Sequence, residues 1–141
     1  MIEALLLLDT SIVIHLLRGK ATGECIEQTY GLRDRPERPL VSIVTLGELR
    51  GFARYRNWGA PRVALLDELV RNLIVVDIRH ASVLDRYAEI HAFCRKRGSS
   101  MGDNDKWIAA TASAARATLI TTDQDFAPLH GEFLSVIVSS S

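Results

Sequence analysis

The sequence predicts an α/β protein, a three-layer α/β/α sandwich around a central, mostly parallel, five-stranded sheet. Three observations carry that expectation. Short apolar runs alternate with longer helical stretches along the whole chain. Most of those runs are apolar throughout rather than alternating, as expected of parallel strands covered on both faces. The chain has 141 residues, 48% of them hydrophobic, which is enough for one domain over residues 1–141 to bury a core without disulfides or a structural metal.

Taken in order, five runs read as buried strands: Leu5–Leu8, Leu40–Ser42, Leu73–Val76, Thr118–Thr121 and Phe133–Val138. Helices are expected between them. Ser11–Arg18 follows the first strand. Gly23–Leu32 stops before the loop Arg33–Pro39, whose two prolines cannot continue a helix. Val44–Arg56 follows the second strand. Pro61–Arg71 opens with proline in its first turn, where the missing N–H costs nothing. Ala81–Arg97 and Asn104–Ala115 complete the set. Ser139–Ser141 reads as a frayed tail. No internal repeat, low-complexity tract or linker divides the chain.

Charge narrows the function classes. Seventeen basic and 17 acidic residues cancel, so the overall field does not draw the chain to nucleic acid, and any such binding must come from local patches. The candidates are Arg50, Arg54, Arg56 and Arg62, then Arg95, Lys96 and Arg97, then Lys106 with Trp107 beside Asp105. The second group also suits a helix C-terminus, where the dipole favours cations. Two cysteines, Cys25 and Cys94, form no CxxC pattern and are expected to be reduced thiols in the cytoplasm. The apolar start, Met1–Leu17, carries Glu3 where a secretion signal would be basic, and Asp9 and His15 interrupt it. A cytoplasmic protein with no membrane span is expected.

Why a carboxylate interrupts an apolar segment is the leading question. Open α/β sheets place their sites at the carboxyl ends of strands. Asp9, Asp77 and Asp123 each fall at such an end. Each alone is also explained as a helix cap. Glu48 is different. With Val44–Arg56 wound at ~100° per residue, the apolar arc holds Val44, Tyr55, Phe52, Leu49 and Ala53, and Glu48 lies between Tyr55 and Phe52. Arg50 and Arg54 lie on the opposite side. An inward carboxylate needs a partner, either a base from elsewhere or a metal. Asp105 lies in the first turn of its helix, where Asp103 or Asn104 can cap and the dipole favours one acid. Acids gathered in one cleft need a counter-charge, and hard carboxylate oxygens suit Mg²⁺ or Mn²⁺. The four histidines are scattered and form no zinc motif.

Four segments together resemble a known family. They are Leu7–Ile14 (LLDTSIVI), Ser42–Leu49 (SIVTLGEL), Asn104–Ala112 (NDKWIAATA) and Leu119–Phe126 (LITTDQDF). In this order they resemble PIN-domain nucleases, and more narrowly the VapC-type toxins of type II toxin–antitoxin pairs. The resemblance spans nearly the whole chain. It implies an acidic metal site in which Asp9 and Asp105 are the principal ligands of Mg²⁺ or Mn²⁺, and Glu48 and Asp123 complete the set, with Asp125 competing for the fourth place. Thr10 and Ser11 match hydroxyl positions near the metal, although Thr10 also suits a helix cap. It further implies hydrolysis of RNA, transfer RNA or another structured RNA, a homodimer, and inhibition by a small cognate VapB-type antitoxin.

Other classes fit less well. A receiver-type phosphoacceptor domain would use Asp77, but it needs adjacent acids after the first strand and a lysine after a late one. Thr10 and Asp123 stand in those places. A haloacid-dehalogenase-type phosphatase needs a second acid two residues after the first, and that position is Ser11. A catalytically silent PIN module used for binding lacks one or more of the acids, and all four are present.

Overall fold

The computed structural model describes residues 4–140. Glu3 and the final residue of the expected tail lie outside the described residues. Five strands, β1 (Leu6–Leu8), β2 (Leu40–Ser42), β3 (Ile74–Val76), β4 (Thr118–Thr121) and β5 (Ser135–Val138), form one sheet in the order β3-β2-β1-β4-β5. All four pairings are parallel, for example Leu7 opposite Leu40 and Leu8 opposite Ile120. Six helices alternate with them: α1 (Thr10–Arg18), α2 (Ala21–Tyr30), α3 (Ile43–Tyr55), α4 (Ala60–Arg71), α5 (Ala81–Lys96) and α6 (Asp103–Ala114).

Successive side chains of a strand point to opposite faces, and this alternation builds two cores. Leu7, Leu40 and Leu119 pack on one face with Ile90, Cys94, Ile108, Ala109 and Phe126. Leu6, Leu8, Val41 and Ile120 pack on the other with Ile12, Val13, Ile26 and Leu49. The central strands are therefore apolar on both sides, and the three-layer architecture follows.

Several details depart from the sequence reading. β3 is an edge strand, with Ile74 43% exposed, so its apolar run does not mark burial. The fully buried face of α3 is centred on Thr45 and Leu49. Tyr55 lies at the helix end, 86% exposed, and Glu48 sits half-buried on the rim of the arc rather than within it. Gly102, not Asp103 or Asn104, is the residue before α6. A 3-10 turn over Gln124–Leu129, which the sequence did not suggest, buries Phe126 and Leu129. Ser139 is tied down, because its N–H donates to the Thr121 carbonyl at 2.7 Å. No described helix is long and apolar enough to cross a membrane.

Strand order decides where a site can form. The chain builds outward from β1 to β3 on one side, then returns to place β4 and β5 on the other. The reversal leaves a crevice beyond the carboxyl ends of β1 and β4. Asp9 follows β1 and Asp123 lies just beyond β4, so both are delivered to it.

Candidate functional site

Asp9 is only 4% exposed, yet its side chain makes no capping bond to α1. The cap explanation therefore fails for it. Its Oδ2 accepts from two hydroxyls instead, Thr121 Oγ1 at 2.7 Å and Ser11 Oγ at 2.9 Å. The backbone N–H of Asp9 donates to the Ile120 carbonyl, which extends the β1–β4 pairing to the crevice. Burial raises the Asp9 carboxyl above its ordinary range, the two hydroxyls and the Thr10 backbone hold it back, and the nearby Asp123 charge raises it further.

Glu48 is reached from α1. The Thr10 hydroxyl has one proton to give. It donates to Glu48 Oε1 at 2.7 Å and lies 2.9 Å from Thr45 Oγ1. Thr10 thus occupies the first helical turn but does not cap it, and it couples α1 to α3.

Asp105 stands in the first turn of α6. Its carboxyl is pushed up to about 6, first by burial and then by the charges of Asp9, Asp123, Glu48 and Asp125, in that order. The helix dipole should favour the charged form at this position, so burial and like charge outweigh it. Five carboxylates, from the end of β1, from α3 and α6, and from the segment after β4, therefore share one electrostatic neighbourhood.

Asp123 keeps its structural role as well. Its Oδ1 accepts from the Asp125 N–H at 2.9 Å and caps the 3-10 turn, while its own N–H donates to Thr121 Oγ1 at 3.0 Å. Asp123 is half-buried and acts on both Asp9 and Asp105. Asp125 is exposed and acts only on Asp105, as the smallest of its causes. Asp77 lies apart, exposed and paired with Arg79 at 3.7 Å.

Among the described residues, none of Asp9, Glu48, Asp105 and Asp123 has a basic partner within ion-pair distance. The cation nearest in sequence is Lys106, and it turns away. It is 6% exposed and lies between α5 and α6, 3.2 Å from His91 Nδ1 and 3.7 Å from Asp103. Trp107 stacks on Tyr87 with centroids 3.8 Å apart. Lys106 is thus not available to guide a phosphate, contrary to the expectation from sequence. Arg97 lies over Phe93 at the end of α5.

The donor set around the crevice is all carboxylate and hydroxyl oxygen, which suits a hard divalent cation. No three described His, Cys, Asp or Glu side chains form a ready-made metal cage. Uncompensated carboxylates repel one another, and Glu48 and Asp9 are held by hydroxyls, so a cation would have to draw the ligands together. The hydroxyls of Thr45 and Thr121 were missed in the sequence. For Thr45 a signal existed, because it lies three residues before Glu48 on the same helical face. Thr121 carried none beyond its place at a strand end.

A family model described as the PIN domain matches residues 6–131. Ribonuclease VapC5 of Mycobacterium tuberculosis is 33% identical over 131 residues, covering 88% of this chain and 87% of that protein. Ribonuclease VapC1 of Haemophilus influenzae is 30% identical over 118 residues, covering 82% of this chain and 84% of that protein. Among solved structures, VapBC-5 from Mycobacterium tuberculosis, a member of the VapBC family of toxin–antitoxin systems, aligns with a TM-score of 0.69 at 28% identity. It covers 98% of this chain and 99% of that one. The VapBC2 structure from Rickettsia felis aligns with a TM-score of 0.80 at 21% identity, covering 94% and 97%, and shows the shared fold. The chain belongs to the PIN-domain family, among the relatives of the VapC ribonucleases.

Proposed function

We propose that this chain is a divalent-metal-dependent endoribonuclease, the toxin of a toxin–antitoxin pair, with its site in the crevice beyond β1 and β4. One observation carries the reading. Four carboxylates surround that crevice without a cationic partner among the described residues, and burial, then their mutual repulsion, pushes the Asp105 carboxyl up to about 6. Such a site is incomplete without a counter-charge. Asp9 and Asp105 would be the principal ligands of Mg²⁺ or Mn²⁺, with Glu48 and Asp123 completing the set. Asp123 is favoured over Asp125 because it is closer to Asp9 electrostatically and less exposed.

Bound there, the ion would neutralise charge on the phosphodiester and lower the pKa of an attacking water. The chain's own contribution is positioning. Thr121 and Ser11 fix the rotation of the Asp9 carboxylate through Oδ2, and neither bond uses Oδ1. Thr10 holds Glu48 against α1. Asp105 must lose its proton to take part, so metal and proton compete for it.

The relatives' names support an RNA substrate and an antitoxin partner; transfer RNA or another structured RNA as the target, and a small VapB-type antitoxin as the partner, complete the proposal. A homodimer is the expected assembly. The decisive experiment is cleavage of RNA by the purified chain with Mg²⁺ or Mn²⁺, with and without EDTA, beside Asp9→Asn and Asp105→Asn. Cleavage is expected only from the intact site with metal. Cleavage that survives EDTA or both substitutions would sink the reading. Induced expression is expected to arrest growth, and co-expression of the cognate antitoxin to relieve the arrest.

A further inference from the structure

The contacts between α1 and α3 form a ladder with a four-residue step. Thr10 meets Glu48 at the crevice. One turn on, Ile14 and Phe52 line the same cavity, and one turn further Arg18 and Arg56 do. The cavity, about 190 Å³, is also lined by Trp58, between α3 and α4, and by Arg62 in the first turn of α4. It therefore continues the α1–α3 seam directly away from the acids, two helical turns or about 12 Å from Thr10.

Its chemistry is the reverse of the crevice. Three guanidinium groups line it and no carboxylate does. Arg62 lies over the Trp58 ring at 4.7 Å from its centroid, and Arg56 lies over Phe52 at 5.5 Å. Stacking of this kind orders a guanidinium while its N–H groups stay available to an anion. The net charge is zero and the crevice is itself acidic, so attraction for RNA has to come from local basic groups such as these.

We infer that Arg18, together with Arg56 ordered by Phe52 and Arg62 ordered by Trp58, forms a docking subsite for the backbone of a single-stranded RNA segment flanking the cleaved bond. The inference rests on the ribonuclease reading. A strand whose phosphate reaches the carboxylates and continues along the α1–α3 seam meets the three cations next. Phosphates with flat bases match alternating arginine and aromatic groups better than an acidic peptide does, because only the nucleic acid uses both features.

The test compares the intact chain with Arg18→Ala/Arg56→Ala/Arg62→Ala, with the corresponding Lys triple, and with Arg79→Ala as an exposed control outside the cavity, paired with Asp77. Equilibrium binding of a fluorescent single-stranded RNA is measured in an Asp9→Asn background, and cleavage kinetics in the active background. For single strands the salt slope is about 0.7 per neutralised phosphate, so the Ala triple should flatten it by about 2. Between about 50 and 200 mM salt the intact arginines should then lose roughly 20-fold more affinity than the Ala triple. The loss should appear in KM rather than kcat. The Lys triple should keep the slope, and Arg79→Ala should change nothing. An unchanged slope and KM in the Ala triple overturn the subsite. So does an Ala triple that binds RNA normally but no longer binds a poly-glutamate peptide, which would assign the cavity to a protein partner. If the intact chain fails to cleave RNA yet binds it through these arginines, the ribonuclease reading falls, and the arginines stand as an RNA-binding surface but not as a subsite of cleavage.

Discussion

Thr121 Oγ1 and Asp9 Oδ2 are 2.7 Å apart, although 112 positions separate the two residues. The bond joins the carboxyl ends of β1 and β4, the two strands that flank the topological crevice. Thr121 uses both sides of its hydroxyl, since it also accepts the Asp123 N–H at 3.0 Å. One buried hydroxyl thereby relates two of the four acids, and its removal should disturb both.

Thr121→Val keeps the volume but removes the hydroxyl. Asp9 would lose a donor, and the Asp123 N–H would lose its acceptor. We expect stability to fall by about 1–3 kcal/mol, the range for stranding a buried polar group. Metal affinity, read from the Mg²⁺ or Mn²⁺ dependence of cleavage, should weaken roughly 10- to 100-fold, as when a group orienting a metal ligand is removed. Thr121→Ser should retain most of both. A valine variant with the metal dependence of the parent would show that Thr121 does not position Asp9.

Asp105→Asn should abolish cleavage and yet stabilise the metal-free chain. The Asp105 carboxyl ionises near 3.8 when unfolded and near 6 when folded. Between those values the folded state holds more protons, so its stability falls as pH rises from about 4 to about 6 and stays lower above. Discounted for partial solvent screening, the effect is about 1–2 kcal/mol near neutral pH. Asparagine removes it and should raise the metal-free Tm by about 3–6 °C. Added Mg²⁺ should raise the Tm of the parent at about pH 8, much less at about pH 5, and barely at all in the variant. The same competition should place the acidic limb of cleavage near pH 6 at low metal and move it lower as metal increases. A variant less stable than the parent at neutral pH would contradict this account.

The elements were legible because their apolar runs are short and bounded by strong stops. The expected bounds of β2 and β4 are those observed, and α5 and α6 differ at their ends by one residue. What sequence could not supply was depth. The run that became β3 is as apolar as β1, but strand order puts it at an edge, where Ile74 and Val75 meet solvent. The α3 arc was misplaced for a related reason. Tyr55 is apolar enough to join it, but the helix ends there and nothing packs over it. Lys106 reads as a cation beside an acid. One residue is a turn of ~100° in a helix, and that rotation buries it against α5 instead. Among the candidate acids, Asp9 announced itself by interrupting an apolar segment, Glu48 by its place on the helix and Asp123 by a strand end, whereas Asp105 rested mainly on the family resemblance. The hydroxyls of Thr45 and Thr121 did not announce themselves, since a threonine at a strand end or in a first helical turn is unremarkable without its partner.

The last expectation concerns one substitution made at two glycines of the same chemistry. Gly23 is buried in α2 where it crosses α1. A Cβ there would overlap the His15 carbonyl oxygen and stand 3.0 Å from its carbon. Both atoms are backbone, and the same oxygen accepts the Gly19 N–H that closes α1, so neither can rotate away. Gly51 lies exposed in α3 with nothing within 4 Å of its would-be Cβ. Alanine is intrinsically about 1 kcal/mol better than glycine inside a helix. Gly51→Ala should therefore stabilise by up to about 1 kcal/mol. Gly23→Ala should instead lose about 1–3 kcal/mol, because overpacking exceeds the helix gain. Urea unfolding of both variants reads the two signs directly. A stabilised Gly23→Ala would mean that α2 can move off α1 at little cost, and that the close contact at His15 does not hold the two helices together.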